Sequence, residues 1–206
     1  MKWYIIEGNI GTGKSTLLNL LAKQIECETI PEPLDVWLGI TDDSGKNLLQ
    51  MFYEDTNRYA YLFQSIVFKT RIQSIKNKQD MEIRFSERSV WSDKYIFSRA
   101  CQENRTMNEI EYKSYNLWFD WLEEFFMQRK PDGIIYLKCQ PETCYNRMKN
   151  RSRSEEDTVP LNYLTQLHQY HEDWLNHTNI PVLILDNETN PIESHIEKII
   201  EFTQNT

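Results

Sequence analysis

Apolar and polar positions alternate in blocks along the chain, and the period changes from block to block. Lys2–Glu7 is a short aromatic and apolar run that stops at Gly8, which predicts a strand. In Lys14–Ile25, leucines at 17, 18 and 21 with Ala22 recur at the spacing of an amphipathic helix. Glu28–Ile30 reads as a second short strand, closed by Pro31-Glu32-Pro33. Thr41–Gly45 is a polar turn, and the short polar segment Thr41–Asn47 receives no role. Helical periodicity returns over Asn57–Asn77. Ile83–Phe85 is a third strand with Glu87-Arg88-Ser89 at its C-terminal end, followed by a helical stretch over Lys94–Cys101. Asn108–Met127 is a long helix carrying more aromatics than one core-facing stripe needs, so it is either deeply buried or packed against a partner subunit. Behind the turn Pro131-Asp132-Gly133 comes the strand Ile134–Lys138. Pro141 opens a helix to about Arg151, as proline does at a first helical turn. Arg151–Thr158 is polar, Pro160 opens a helix through about Trp174, Pro181 precedes the strand Val182–Leu185, and Pro191 precedes a last helix to about Phe202. With no repeat and no linker, strands alternate with helices from end to end. That order predicts a single α/β domain over residues 1–206, a parallel sheet covered on both faces.

Composition narrows the partners. The 206 residues are 40% hydrophobic, enough for a sizeable core, and no stretch approaches the roughly 18 apolar residues of a membrane span. Twenty-three basic against 31 acidic residues give a net charge of −8, which argues against general affinity for nucleic acid or anionic membrane. No secretory or transit pattern is visible at the N-terminus. Cys27, Cys101, Cys139 and Cys144 form no CxxC pair and have no histidine at zinc-finger spacing, as expected of reduced thiols in a cytoplasmic protein.

Three of only six glycines fall at positions 8, 11 and 13. Gly8-Asn9-Ile10-Gly11-Thr12-Gly13-Lys14-Ser15, with Thr16 after it, satisfies the phosphate-cradle pattern G-x4-G-K-S between a predicted strand and a predicted helix. Glycines let successive backbone N–H groups turn inward to phosphate oxygens, and the helix adds its positive end. Lys14 then reaches the β- and γ-phosphates and the Ser15 hydroxyl ligates Mg²⁺. The expected ligand is a nucleoside triphosphate. The third strand ends in Glu-Arg-Ser rather than the Asp of a motor or switch, and no Asn-Lys-x-Asp guanine-reading element is present.

Glu7-Gly8-Asn9-Ile10, Pro31-Glu32-Pro33-Leu34 with Trp37, Phe63-Gln64, Glu87-Arg88-Ser89 and Arg151-Ser152-Arg153-Ser154-Glu155-Glu156 occur in that order. Over residues 3 to 186 the chain resembles the deoxynucleoside kinase family, which includes deoxycytidine, deoxyguanosine and mitochondrial thymidine kinases. The resemblance implies a five-stranded parallel sheet surrounded by helices, ATP or another nucleoside triphosphate as donor, Mg²⁺, and a homodimer formed through long helices. It also implies roles for single residues. Glu32 matches the catalytic base and Arg88 would hold the 5′ oxygen and the migrating phosphoryl group. Glu87 would anchor the Mg²⁺ shell. Arg147, Arg151 and Arg153 match the arginines of a lid over about residues 147–158, and with Lys149 they put four positive charges into seven residues of an acidic chain. Taken alone, such a run is a solvated face, and Arg147 and Arg151 share one helical face at i, i+4. Glu156 matches the residue that accepts the sugar 3′-hydroxyl hydrogen bond, with Tyr53 as its partner. Gln64 matches the glutamine that pairs with the base edge, and Trp37 and Phe97 form apolar or stacking walls. His171-Glu172-Asp173-Trp174 also matches the family and reads as packing.

Arg71 and Asp93 match the Arg/Asp pair of deoxycytidine and deoxyguanosine kinases. A buried arginine needs a carboxylate partner, and Asp93 would then accept from an exocyclic amino group. Cytosine and adenine carry one where thymine has a carbonyl, so thymidine would leave a buried polar group unpaired. The expected substrates are deoxycytidine and purine deoxynucleosides, with thymidine poor. The alternatives are a broad-specificity or thymidine-type deoxynucleoside kinase, a non-catalytic structural relative, or a nucleoside monophosphate kinase.

Overall fold

The structure is a computed structural model that describes residues 1–76, 81–126 and 129–206. Five strands, β1 (Lys2–Glu7), β2 (Glu28–Ile30), β3 (Ile83–Glu87), β4 (Gly133–Lys138) and β5 (Val182–Asp186), form one sheet in the order β2-β3-β1-β4-β5. All four pairings are parallel. The helices are α1 (Lys14–Gln24), α2 (Leu34–Gly39), α3 (Leu48–Glu54), α4 (Thr56–Lys76), α5 (Val90–Ser92), α6 (Arg99–Glu103), α7 (Glu109–Phe126), α8 (Pro141–Arg151), α9 (Leu161–His177) and α10 (Ile196–Asn205).

Because side chains alternate across a strand, β1 feeds two cores. Trp3 and Ile5 pack with α2, α3, α4 and α7 on one face, while Tyr4 and Ile6 pack with Leu17, Leu18 and Leu21 of α1 and Ile196 and Ile199 of α10 on the other. A third cluster lies beneath the glycine-rich turn, where Ile10 meets Ile96, Cys144, Met148 and Leu164. The C-terminal ends of β1, β2 and β3 therefore open onto one edge, where ligands of open α/β sheets bind.

Several expectations needed correction. Residues 34–39 and 48–54 are helical in addition to the expected elements; both helices are too short for periodicity to register. The expected helix over Lys94–Cys101 is the middle of a continuous run from Val90 to Glu103 whose centre, Asp93–Ser98, is π-helical. The strand expected over Ile83–Phe85 runs on to Glu87, and β5 runs one residue further, to Asp186. The helix from Pro160 to Trp174 spans Leu161–His177, and the last helix starts at Ile196 after a 3₁₀ turn. The expected ends at Asn77 and Met127 lie outside the described residues. The aromatics of α7 divide by face. Tyr115 and Phe119 are buried, whereas Trp118, Trp121 and Phe125 are about half exposed at 54%, 46% and 56%.

Candidate active site

The glycine-rich turn takes its shape from left-handed backbone. Gly8 has φ +146°, and a Cβ there would stand 2.8 Å from the Leu137 carbonyl oxygen. Gly13 caps α1 at φ +91°, a conformation that L side chains rarely adopt. Asn9 ties the turn down. Its side chain donates to the Leu164 carbonyl at 2.8 Å, and its own backbone carbonyl accepts from Thr12 Oγ1 and from Lys14 Nζ. Ile10, Gly11, Lys14 and Ser15 reach the cavity at the sheet edge, while Thr16 is exposed on the first turn of α1. Burial, the Arg88 charge and the surrounding carboxylates together leave the Lys14 ammonium lowered to about 8.

Across the turn, β3 delivers Glu87 and Arg88. The Ser15 hydroxyl donates to the two Glu87 carboxylate oxygens at 3.1 and 2.9 Å. Arg88 adopts φ +60°, a strained left-handed position for a residue with a side chain. Ser89 then opens α5 with a reciprocal capping box to Ser92. The kink sends the Arg88 guanidinium over the Phe97 ring, 4.7 Å from its centroid, and onto Glu32 Oε1 at 2.9 Å.

Glu32 leaves β2 between two prolines. Its Oε1 also accepts from Arg71 Nη2 at 2.7 Å. Burial alone would push this carboxyl up, but Arg88, Arg71 and Lys14 outweigh it and hold it well below the usual carboxylate range. Arg71 uses all three nitrogens, donating from Nε to Asp93 Oδ1 at 2.9 Å and from Nη1 to the Glu87 carbonyl. The family resemblance pairs Arg71 with Asp93 but does not reveal that the same guanidinium joins Asp93 to Glu32, which lies 39 residues before Arg71. Asp93 is fully buried at the first position of the π-helical segment; burial pushes its carboxyl up to about 6 against the pull of Arg71. Its Oδ2, like Gln64 Oε1, has no hydrogen-bond partner among the described residues. Two unpaired buried acceptors in one cavity wall constitute a demand for donors.

Trp37, Tyr53, Gln64, Phe97, Arg151, Arg153 and Glu156 complete the cavity together with Phe52 and Phe63. Trp37 sits edge-on to Phe63 and donates from Nε1 to Thr70. Glu156 is buried and accepts from Arg151 and Arg153. Tyr53 is pushed up by burial and by the Glu156 charge. Arg147 stands apart. Although it shares the helical face of Arg151, its guanidinium donates to the Asn187 carbonyl at 3.1 Å and to Cys139 Sγ, away from the cavity. His171 is buried and stacks at 9° on Tyr136, and Glu172 holds Tyr136 and Lys138, so this stretch packs as expected.

Two further residues border the site without an expected role. Asn47, in the segment given no role, caps α3 and donates to Glu155. Its signal was an asparagine immediately before Leu48-Leu49. Glu7 at the end of β1 is fully buried beside this charge cluster, with Ser89 Oγ donating to its Oε1; desolvation pushes its carboxyl up to about 7 despite Arg88.

A parallel sheet with a glycine-rich phosphate cradle and an opposed Glu-Arg pair at its carboxyl edge defines a P-loop phosphotransferase. The deoxynucleoside kinase family model matches residues 4–206, and the chain belongs to that family. It is 41% identical to the deoxycytidine kinase of Mus musculus over 231 aligned residues, covering 96% of this chain and 89% of that one. It is 44% identical to the probable deoxycytidine kinase of fowlpox virus (strain NVSL) over 193 residues, 89% of this chain and 77% of that one. It is also 41% identical to the mitochondrial deoxyguanosine kinase of Xenopus laevis over 212 residues, 89% and 80% of the two chains.

Proposed function

We propose that the chain transfers the γ-phosphoryl group of ATP to the 5′-hydroxyl of deoxycytidine and purine deoxynucleosides, with thymidine poor, in nucleotide salvage. The observation that carries this reading is the Arg71 guanidinium, which in one cavity joins Asp93, whose Oδ2 lacks a partner among the described residues, to Glu32. In this reading Glu32 accepts the 5′-hydroxyl proton, and Arg88, already on Glu32, steadies the attacking oxygen and the migrating phosphoryl group. Lys14 and the turn from Gly8 to Ser15 hold the donor phosphates, and Arg151 and Arg153 close on them. Gln64 and Asp93 read the base edge, Trp37 and Phe97 wall it, and Glu156 with Tyr53 takes the sugar 3′-hydroxyl. The oxygen pair of Ser15 and Glu87 suits Mg²⁺, which takes few protein ligands and completes its shell with phosphate and water. There it would neutralise charge on the transferring phosphates. Arg147 lies outside this cavity, held at the carbonyl of Asn187, and takes no part in this reading.

Measuring kcat/KM for the four deoxynucleosides, with dCMP and dTMP as further acceptors, tests the assignment. Deoxycytidine or a purine deoxynucleoside should lead. Thymidine as the best substrate would refute the base assignment, and a monophosphate as the best acceptor would refute the reaction.

The four free thiols support the cytoplasm as its place, and among the described residues no helix is long and apolar enough to cross a membrane. The homodimer reading rests on α7, where Ile110, Leu117, Trp118, Trp121 and Phe125 form one exposed apolar stripe. Leu117→Glu should halve the mass in light scattering; an unchanged mass counts against this interface.

A further inference from the structure

Adjacent glutamates between α8 and α9 face different partners. Glu156 is buried and takes Arg151 and Arg153. Glu155 Oε1 accepts from Asn47 Nδ2 at 2.8 Å, across 108 residues of chain. The other end of the same amide is also engaged, because Asn47 Oδ1 accepts from Gln50 N at 2.9 Å and caps α3. Helix α3 carries Leu49, Phe52 and Tyr53 into the cavity wall. Both Asn47 and Glu155 are half-buried, and Glu155 is ionised. The bond is therefore charge-assisted and partly shielded from water, the kind that contributes more than an exposed pair.

We infer that Asn47 is a positioning residue: its amide latches the arginine-bearing segment 151–158 to α3, so that the acceptor wall and the arginines are set as one unit. This inference rests on the proposed roles of Arg151 and Arg153 for its effect on turnover, while the latch itself is a contact that can be read without turnover. The turn before Asn47 is built to hold it. Asp42 Oδ1 accepts from Ser44 N and Lys46 N, and Thr41 and Asn47 form an antiparallel bridge. Asn47 is thus fixed on both sides in sequence, and only its Nδ2 reaches the segment.

Asn47→Asp separates the two jobs. Aspartate is as good an N-cap as asparagine, so α3 keeps its start. The side chain then faces Glu155 with a carboxylate instead of a donor. Glu155→Gln in the same chain returns a donor to the pair from the other side. Hydrogen exchange over residues 152–158, with no substrate present, should be faster in Asn47→Asp and return to the wild-type rate in the double variant. KM for deoxycytidine and for ATP should each rise about five- to twenty-fold in the single variant, a loss of about 1–2 kcal/mol, the low end for a charge-assisted bond because both side chains are half-exposed. In the double variant they should recover to within about threefold. Unchanged exchange in Asn47→Asp, or no rescue by Glu155→Gln, overturns the latch. Arg151→Ala with Arg153→Ala is the separate arm. If their loss leaves ATP turnover intact while exchange still responds to Asn47→Asp, the arginine roles fail and the latch stands.

Discussion

Replacing Glu32 by glutamine tests the centre of the proposed mechanism, and the geometry makes the expectation specific. Both arginine bonds fall on Oε1, from Arg71 Nη2 at 2.7 Å and from Arg88 Nη1 at 2.9 Å. A glutamine that keeps its oxygen at Oε1 keeps both bonds and presents an amide N–H₂ where Oε2 was. That group cannot take a proton from a hydroxyl. Losing a general base costs roughly 10²–10⁴ in rate, which is about 3–5 kcal/mol of barrier. Losing the charge also weakens two ion pairs at a carboxylate that is 17% exposed. Discounted for that exposure, the stability loss is about 2 kcal/mol, and for a chain of this size the Tm falls by several degrees. The protein stays folded at 25 °C. Steady-state ADP release should show kcat reduced by at least a hundredfold, with deoxynucleoside Kd from calorimetry within about fivefold of wild type. A kcat within tenfold of wild type would refute the base assignment. Because Arg88, Arg71 and Lys14 hold Glu32 ionised well below its ordinary range, the wild-type rate should also show no Glu32 titration between pH 5 and 8. A carboxylate held so acidic is a weak base, which suits a loose phosphoryl-transfer transition state where the hydroxyl proton leaves late.

Three further outcomes follow from the same geometry. Asp93→Asn keeps an acceptor for Arg71 Nε and places an amide donor at the unpaired Oδ2 position, so the ratio of deoxycytidine to thymidine kcat/KM should fall by about 10²; an unchanged ratio would count against Asp93 as the base reader. Glu7 is raised from 4.5 to about 7 on folding, so its protonated form is favoured in the fold, and that contribution is lost as pH rises towards and through 7. Glu7→Gln should therefore be more stable than wild type by about 3 kcal/mol at pH 8 and by under about 1 near pH 5 in urea titrations, and a gap that does not change with pH would remove the argument. Gly8→Ala places a Cβ 2.8 Å from the Leu137 carbonyl at φ +146°, so ATP KM should rise at least tenfold with deoxycytidine Kd little changed; equal weakening of both substrates would show a general loss of fold instead.

How much of this was visible beforehand depends on whether a feature is local in sequence. The cradle from Gly8 to Ser15 and the Glu87-Arg88-Ser89 turn are contiguous, and each sits at a strand end that apolar patterning marks, so their places at the sheet edge were legible. The division of α7 into a buried and an exposed aromatic face follows from the same 3.6-residue period. Arg71 shows where local reading stops. Its seven-residue spacing from Gln64 puts both on one helical face, yet its bond to Glu32 exists only because the fold lays that face of α4 against the residues that follow β2. Arg147 shows the opposite error. Its i, i+4 relation to Arg151 is real, but the Asn187 carbonyl competes for its guanidinium and draws it aside. The π-helical turn at Asp93–Ser98 has no composition signal.

The charge pattern of the site explains why so acidic a protein binds a polyanion. Around the cavity floor, Lys14, Arg71 and Arg88 face Glu7, Glu32, Glu87 and Asp93, so the cations are already compensated before any phosphate arrives. Arg151 and Arg153 are likewise held by Glu156. In the proposed reaction, the donor phosphates must compete with these carboxylates for the same guanidinium groups, and each arginine they win frees a carboxylate for a sugar hydroxyl or the departing proton. Acceptor and donor then share one set of charges. A site with unpaired arginines would hold triphosphate more tightly in the absence of acceptor and would favour its hydrolysis by water. Pre-pairing weakens donor binding alone and reserves the full positive field for the state in which both substrates are present, which is where stabilisation raises the rate of transfer.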